Sequence, residues 1–321
     1  MSNYSIKPYH SKFKNQWDEF VVNSKSATFL FQRDFMEYHQ NRFEDCSLMV
    51  YNREDLIAIF PANKSNDVVY SHQGLTYGGL FFKEEISSTQ LEDLFELLFD
   101  FFKTQNVQSV IVKLIPEFYC SQSLKTIGCL QRLEHSSVLK QNVVMAVDFN
   151  QDLKINKAKI KRFKKLQTNG FSIKEGRLEF RVFWNRILLK RLAEKHNSKP
   201  VHTLSEIEYL QSKFEEEIIQ YNIYCDDEIL AGITIFKKGN VVKSQYGMAS
   251  VEGEKLNALD MLFVSLIYKF KAEGMHYFSM GTVSNDSELG YSKGMLNQKR
   301  ELGCSKYMQN IWKIELNDKI S

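Results

Sequence analysis

The groups in this chain that could move protons or hold anions are a few histidines, one strand tyrosine and a set of lysines. His72 stands in Ser71-His72-Gln73-Gly74-Leu75-Thr76-Tyr77-Gly78-Gly79, after a strand signal at Val68–Ser71. Two adjacent glycines permit positive φ and let a ligand approach the backbone. An imidazole in such a loop is a candidate general base, and Tyr77 adds a stacking ring. The plainer reading is a tight loop with an ordinary surface histidine. His196 and His202 flank Pro200, which excludes a helical i, i+4 pair, and no third ligand type lies nearby for zinc. They are either substrate contacts or parts of a loop stapled by a histidine hydrogen bond. Tyr246 shares one strand face with Ser244 and Met248; its plainer reading is a core tyrosine with a satisfied hydroxyl. Gly281-Thr282-Val283-Ser284-Asn285 follows a strand and reads as a site loop or a surface loop. Lys299 and Arg300 on the last helix could meet a phosphate or simply face solvent.

Other chemistry is missing. There is no GxSxG elbow, Walker loop, HExxH or Rossmann glycine fingerprint. The five cysteines are scattered with no CxxC pair, which argues against a zinc site or disulfide framework and for reduced thiols of the cytosol. A net charge of +3 is too small to point to nucleic acid. No run has the length of a membrane span, and the N-terminus lacks the apolar core of a signal peptide. The apolar block Leu94–Phe102 carries Glu96 and Asp100 at helical spacing, so it predicts an amphipathic helix.

The elements that must position these groups are clearest from Ile218 to Leu316. The order there is strand, turn, strand, turn, strand, a helix over Leu256–Ala272, a strand at His276–Met280, a helix over Met295–Leu302 and a last strand. The first part, from about Ser5 to Asp148, shows helical signals at Lys14–Val22, Gln32–Asn41 and Gln90–Gln105. Its strand signals lie at Ser47–Tyr51, Leu56–Pro61, Val68–Ser71, Val110–Leu114 and Asn142–Val147. It loosely mirrors the C-terminal third, so a duplicated α+β fold is expected. Between them, Asp152–Gly170 reads as a basic helix with Lys157, Lys161, Arg162 and Lys165 on neighbouring positions. That helix could hold a diphosphate, CoA phosphates or a tRNA backbone, or be solvated surface. A helix follows over Val182–Lys195, and another over Ser205–Phe214 with a Ser205/Glu208 capping box. The domains are expected at 1–150 and 151–321.

Five pieces carry a resemblance. They are Ser71–Gly79; His196–Thr203 with Glu206; Gln245-Tyr246-Gly247-Met248-Ala249-Ser250; Leu256-Asn257-Ala258-Leu259-Asp260; and Asn297-Gln298-Lys299-Arg300-Glu301-Leu302-Gly303. In this order the chain resembles the bacterial Fem-like, double-GNAT transferases found with surface-polysaccharide genes. The resemblance implies an α+β fold of tandem GNAT-like domains, each a mixed, mostly antiparallel sheet flanked by helices, with the active site in the cleft between them. It implies a bacterial cytoplasmic N-acyltransferase that moves an acyl group from acyl-CoA, a co-substrate rather than a bound cofactor, to a nucleotide-linked amino sugar, dTDP-linked in the first instance. No metal and no DNA partner are implied. The alternatives are a Fem-type transferase using aminoacyl-tRNA on a peptidoglycan precursor, and a non-catalytic GNAT-like binding module.

Carried onto this sequence, the resemblance assigns His72 and Tyr246 to catalysis. It assigns Gln73, Tyr77, Gly78, His196, His202, Gly281 and Thr282 to the substrate, and Ser250, Gly253, Asn257 and Lys299 to CoA. The chain departs from the family at the pyrophosphate loop, usually Arg/Gln-x-x-Gly-x-Gly/Ala. Here Val251-Glu252-Gly253-Glu254-Lys255-Leu256-Asn257-Ala258 keeps one glycine and sets two carboxylates where phosphates would approach. Helix N-terminal amides can still bind an anion there.

Overall fold

The computed structural model describes residues 4–164, 170–285 and 287–316. The chain forms two compact units, Met1–Asn142 with Met308–Ser321, and Val143–Tyr307. The first runs β1 (Tyr4–Pro8), α1 (Lys14–Asn23), α2 (Arg33–Glu37), β2 (Glu44–Asp45), β3 (Leu48–Asn52), β4 (Asp55–Phe60), β5 (Asn63–Ser65), β6 (Val68–Tyr70), β7 (Phe81–Phe82), α3 (Ser88–Thr104), β8 (Ser109–Lys113) and α4 (Gln122–Arg132). β9 (Ser136–Asp148) carries the chain into the second unit. There follow α5 (Lys157–Lys164), β10 (Phe171–Glu175), α6 (Leu178–Phe183), α7 (Leu189–His196), α8 (Leu204–Lys213), β11 (Ile218–Cys225), β12 (Glu228–Lys238), β13 (Val241–Ala249), α9 (Val251–Lys255), α10 (Ala258–Ala272), β14 (Tyr277–Thr282) and α11 (Lys293–Glu301). β15 (Ser305–Glu315) begins in the second unit and returns to the first.

In the first unit, β1, β3, β4 and β7 form one antiparallel sheet. In a second sheet β8 pairs antiparallel with β15 on one side and parallel with β6 on the other. Parallel neighbours need a crossover, and α3 supplies it. Its Leu91, Leu94, Phe95, Leu98, Phe99 and Phe102 recur at helical spacing and are all buried. Ser87 and Gln90 close a capping box at its start.

In the second unit, β10 to β13 form an antiparallel run, and β14 joins parallel to β13 and antiparallel to β9. The β11–β12 turn is tight because Asp226 takes φ 53°. Helix α10 is the crossover between β13 and β14; it buries Met261, Leu262, Val264, Leu266, Ile267 and Phe270 into this unit's core. Each such side chain removed from water contributes about 1.5–3 kcal/mol.

Several local expectations need correction. The helix expected over 256–272 is present as α10 from Ala258, and a short helix, α9, that was not expected precedes it, the two separated where Asn257 adopts φ 57°. The capping box of α8 is Thr203/Glu206, two residues earlier than Ser205/Glu208, because Thr203 Oγ1 accepts from Glu206 N–H. The basic helix begins at Lys157 rather than Asp152; Lys165 lies outside the described residues. The helix expected from Val182 starts at Leu178 and passes through a π-helical stretch at Trp184–Leu188. Met308–Ser321, expected in the second domain, groups with the first unit.

Candidate functional site

The parallel pair at the centre of the second unit does not stay together. β13 and β14 are in register at Val241–Tyr277, Val242–Phe278 and Lys243–Ser279, and among the described residues they pair no further. The cause is local. On the other edge of β13, Ser244 faces Ile235 and Tyr246 faces Thr234, so Gln245 is an extra residue. Such a bulge bends its strand and sharpens the twist. Beyond it, β13 runs on to Ala249 still paired with β12, while β14 runs on to Thr282 beside β9. The two strands diverge, and the main-chain groups of β13 that face β14 find no strand partner there.

Tyr246 follows the bulge. Its hydroxyl accepts from the His202 backbone N–H at 3.2 Å and lies 2.6 Å from His202 Nδ1. Both contacts are satisfied when the hydroxyl donates to Nδ1. Its ring meets Trp184 edge-on at 5.2 Å. Burial pushes the Tyr246 hydroxyl up to about 12, so it stays protonated. His202 is 4% exposed, so of its two readings the stapling hydrogen bond is present. His196 ends α7; its side chain lies outside the described residues.

After β13, Ser250 caps α9 by accepting from Gly253 N–H at 3.0 Å. Gly253 is a packing glycine: a Cβ there would lie 2.0 Å from the carbonyl oxygen of Leu230. With that N–H engaged and the backbone pressed on β12, Gly253 does not form an open phosphate loop. Nor are the two nearby carboxylates bare. Glu254 is ion-paired with Arg191, at 2.9 Å, and with Lys195. Glu252 pairs with Lys255 at 2.9 Å. Asn257 bears the left-handed turn between α9 and α10.

At the far end of β14, Lys299 reaches in from α11. Its Nζ donates to the carbonyls of Met280, at 2.6 Å, and Thr282, at 3.1 Å, with Gly281 O at 3.5 Å. Gly281 takes φ 72°, and Thr282 Oγ1 donates to Val143 O at 3.1 Å. Burial pushes the Lys299 ammonium down to about 8, with nearby Cys304 acting the other way. The lysine thus ties down the end of β14 rather than extending into solvent. Sequence offered a signal for this: Lys299 lies at i+3 from Leu296 and i−3 from Leu302, both buried, so it sits on the apolar side of the helix. The basic helix α5 is likewise anchored. Lys159 is 4% exposed and bonds Asp260 of α10 at 2.6 Å.

In the first unit the His72 loop is built from close contacts. A Cβ on Gly78 would sit 1.9 Å from Ser71 O, and one on Gly74 would sit 2.3 Å from His39 Nε2. Gln73 and Asn63 exchange two hydrogen bonds, at 2.7 and 2.8 Å. The Tyr77 hydroxyl donates to Thr28 Oγ1 at 3.2 Å, and the ring is 3% exposed. His72 is no surface residue: it is 5% exposed, in a left-handed conformation at φ 70°. Burial, reinforced by His39, pushes its imidazole down to about 3. It is therefore a free base at neutral pH, but one with little affinity for a proton.

No protein-family model and no curated protein sequence matches the chain. Solved structures do. A crystal structure of FemX superposes with a TM-score of 0.69 at 11% identity, covering 97% of this chain and 98% of that one. The C-terminal DUF2156 domain of a putative lysylphosphatidylglycerol synthetase from Agrobacterium fabrum gives 0.60 at 11% identity, over 96% and 93%. A tandem GNAT protein from the clavulanic acid biosynthesis pathway gives 0.50 at 11% identity, over 98% and 99%. The chain has a tandem GNAT-like fold. In this tandem GNAT-like chain the diverging pair β13 and β14 belongs to the second unit. Among the described residues no helix is long and apolar enough to cross a membrane.

Proposed function

We propose that the protein is an N-acyltransferase that takes its acyl group from acyl-CoA and delivers it to the amine of a nucleotide-linked amino sugar. The observation that carries this reading is the divergence of β13 from β14 at the Gln245 bulge. An open parallel edge offers free main-chain N–H and C=O groups to the amides of a pantetheine arm, in the manner of an added strand. A free N–H on that edge also stabilises the oxyanion formed when an amine attacks the thioester carbonyl.

The amine nitrogen forms the new C–N bond as the C–S bond breaks. The pair of electrons leaves with sulfur, and the ammonium proton goes to the thiolate, giving amide and free CoA thiol. An amine that is partly neutral at the working pH needs only weak base assistance, so orientation supplies most of the acceleration. In this reading Tyr246, fixed by His202 and Trp184, shapes the wall of the opening. Lys299 holds the end of β14, with Gly281 and Thr282, so the edge stays open. Ser250 and Asn257 at the starts of α9 and α10, with Arg191 and Lys195 close by, attract the CoA diphosphate. His72, Gln73, Tyr77 and Gly78 are assigned to the acceptor, with His72 as a hydrogen-bonding group rather than a strong base.

A second reading, a Fem-type transfer from aminoacyl-tRNA, is favoured by the higher TM-score with FemX, 0.69, than with the tandem GNAT protein, 0.50, at similar coverage. Thiol release from acetyl-CoA and 3-hydroxybutanoyl-CoA, with a panel of dTDP- and UDP-linked 3- and 4-amino sugars, separates the two. Release dependent on one amino sugar is the expected result. Absence of release with every pair, together with thermal stabilisation by charged tRNA, would replace it with the second reading.

A further inference from the structure

A cavity of about 440 Å³ opens within the first unit, lined among others by Arg33, Glu37, Asn41, Phe43, Asp45 and His72. That is the size of a small-molecule site. Arg33 is 2% exposed. Its Nε donates to Glu37 at 2.8 Å, its Nη2 is ion-paired with Asp45, and its guanidinium stacks on the Tyr9 ring at 3.7 Å. The guanidinium is therefore engaged from several sides.

The charge balance is uneven. Among the Asp, Glu, Lys and Arg side chains that line the cavity, one guanidinium against two carboxylates leaves a single negative charge, while burial keeps His72 a neutral imidazole and pushes Tyr9 up to about 12. Both carboxylates keep about a third of their side-chain surface exposed, at 32% and 35%. His72 adds an independent sign of a ligand: it lines the cavity, and its Nδ1 has no hydrogen-bond partner among the described residues. A buried polar atom left without a partner is costly, and so is a left-handed histidine. The loop holds both.

Resting on the acceptor role given to His72 above, we propose that this cavity is a site for the amine-bearing end of a polyhydroxylated molecule, its amine protonated when bound without acyl donor. Glu37 and Asp45 supply the counter-charge, Asn41 and His72 supply hydrogen bonds to hydroxyls, and the Phe43 ring supplies an apolar face of the kind that attracts a cation. The same balance rejects anions: a ligand carboxylate or phosphate would meet two carboxylates and a guanidinium already neutralised by them.

Three probes of one ring size isolate the charge: D-glucosamine, D-glucose and D-glucuronate. Binding is followed by ligand-observed NMR and isothermal titration with the full chain. No acyl donor is present, so the outcome is separate from the acyl-transfer reading. The expected order is glucosamine over glucose over glucuronate, with at least about a tenfold step between the first and the last. Glu37→Gln should weaken glucosamine about tenfold and leave glucose unchanged. His72→Asn, which tolerates the left-handed backbone, should weaken glucosamine and glucose alike. Glucuronate binding as tightly as glucosamine, or no binding of any probe at millimolar concentration, would overturn the proposal. If Glu37→Gln does not fold, the order of the three probes on the unaltered protein decides alone.

Discussion

Replacing Lys299 by methionine isolates the cost of burying its ammonium. The lysine is held down to about 8 against an ordinary 10.5. At about 1.4 kcal/mol per pKa unit, the folded state disfavours the charged form by about 3 kcal/mol. The sign follows from proton counts. Below pH 8 the lysine is charged in both folded and unfolded chains, and the penalty is fully present. Between pH 8 and 10.5 the folded chain releases its proton first, the unfolded chain binds more protons, and stability rises with pH. Methionine has no proton to release. The difference in unfolding free energy, wild type minus Lys299→Met, should therefore rise by about 3 kcal/mol from pH 7.5 to pH 10.5. Urea denaturation at four pH values in that window measures it. Tyrosines and cysteines that also titrate there are common to both proteins and cancel in the difference. A flat difference would refute the burial argument and with it the idea that Lys299 clamps the end of β14.

Three further outcomes are expected. Gly253→Ala pushes a methyl to within 2.0 Å of Leu230 O; overpacking against backbone should cost about 1–3 kcal/mol or more, read as a lower melting temperature. Tyr246→Phe keeps the Trp184 contact but removes the hydroxyl shared by His202 N–H and Nδ1; it should cost about 1–3 kcal/mol in urea unfolding. Lys159→Met leaves Asp260 without its buried ammonium and should cost about 3–5 kcal/mol. The double change Lys159→Met with Asp260→Leu should recover most of that loss, and a double-mutant cycle that finds no coupling would show the pair to be idle.

The second unit was the more legible part of the chain. Alternating apolar strands with turns at Asp226 and Gly239 leave little choice of register, and α10 is too apolar to be anything but a buried crossover. The bulge at Gln245 was not legible, because nothing in Ser244-Gln245-Tyr246 marks an extra residue; it exists only relative to β12. Lys299 could have been read from its apolar neighbours, but charge alone suggested a phosphate contact. Glu254 reads as an obstacle to phosphate, because its partners Arg191 and Lys195 lie on α7, far away in sequence. In the first unit, α4 and β1 went unread: one is a short polar-faced helix, the other a half-exposed edge strand. The Arg33 cavity was missed because a buried arginine looks, in sequence, like any surface one.

The return of β15 to the first unit bears on how the chain must be made. β8 sets Val110, Ile111 and Val112 against Ile314, Lys313 and Trp312 of β15, so that edge of β8 has no partner until β15 leaves the ribosome. At about 5–20 residues per second, that wait is on the order of 10–40 s. For that time an apolar strand edge stands open to any other extended chain. The first part to be synthesised is thus the last to be finished.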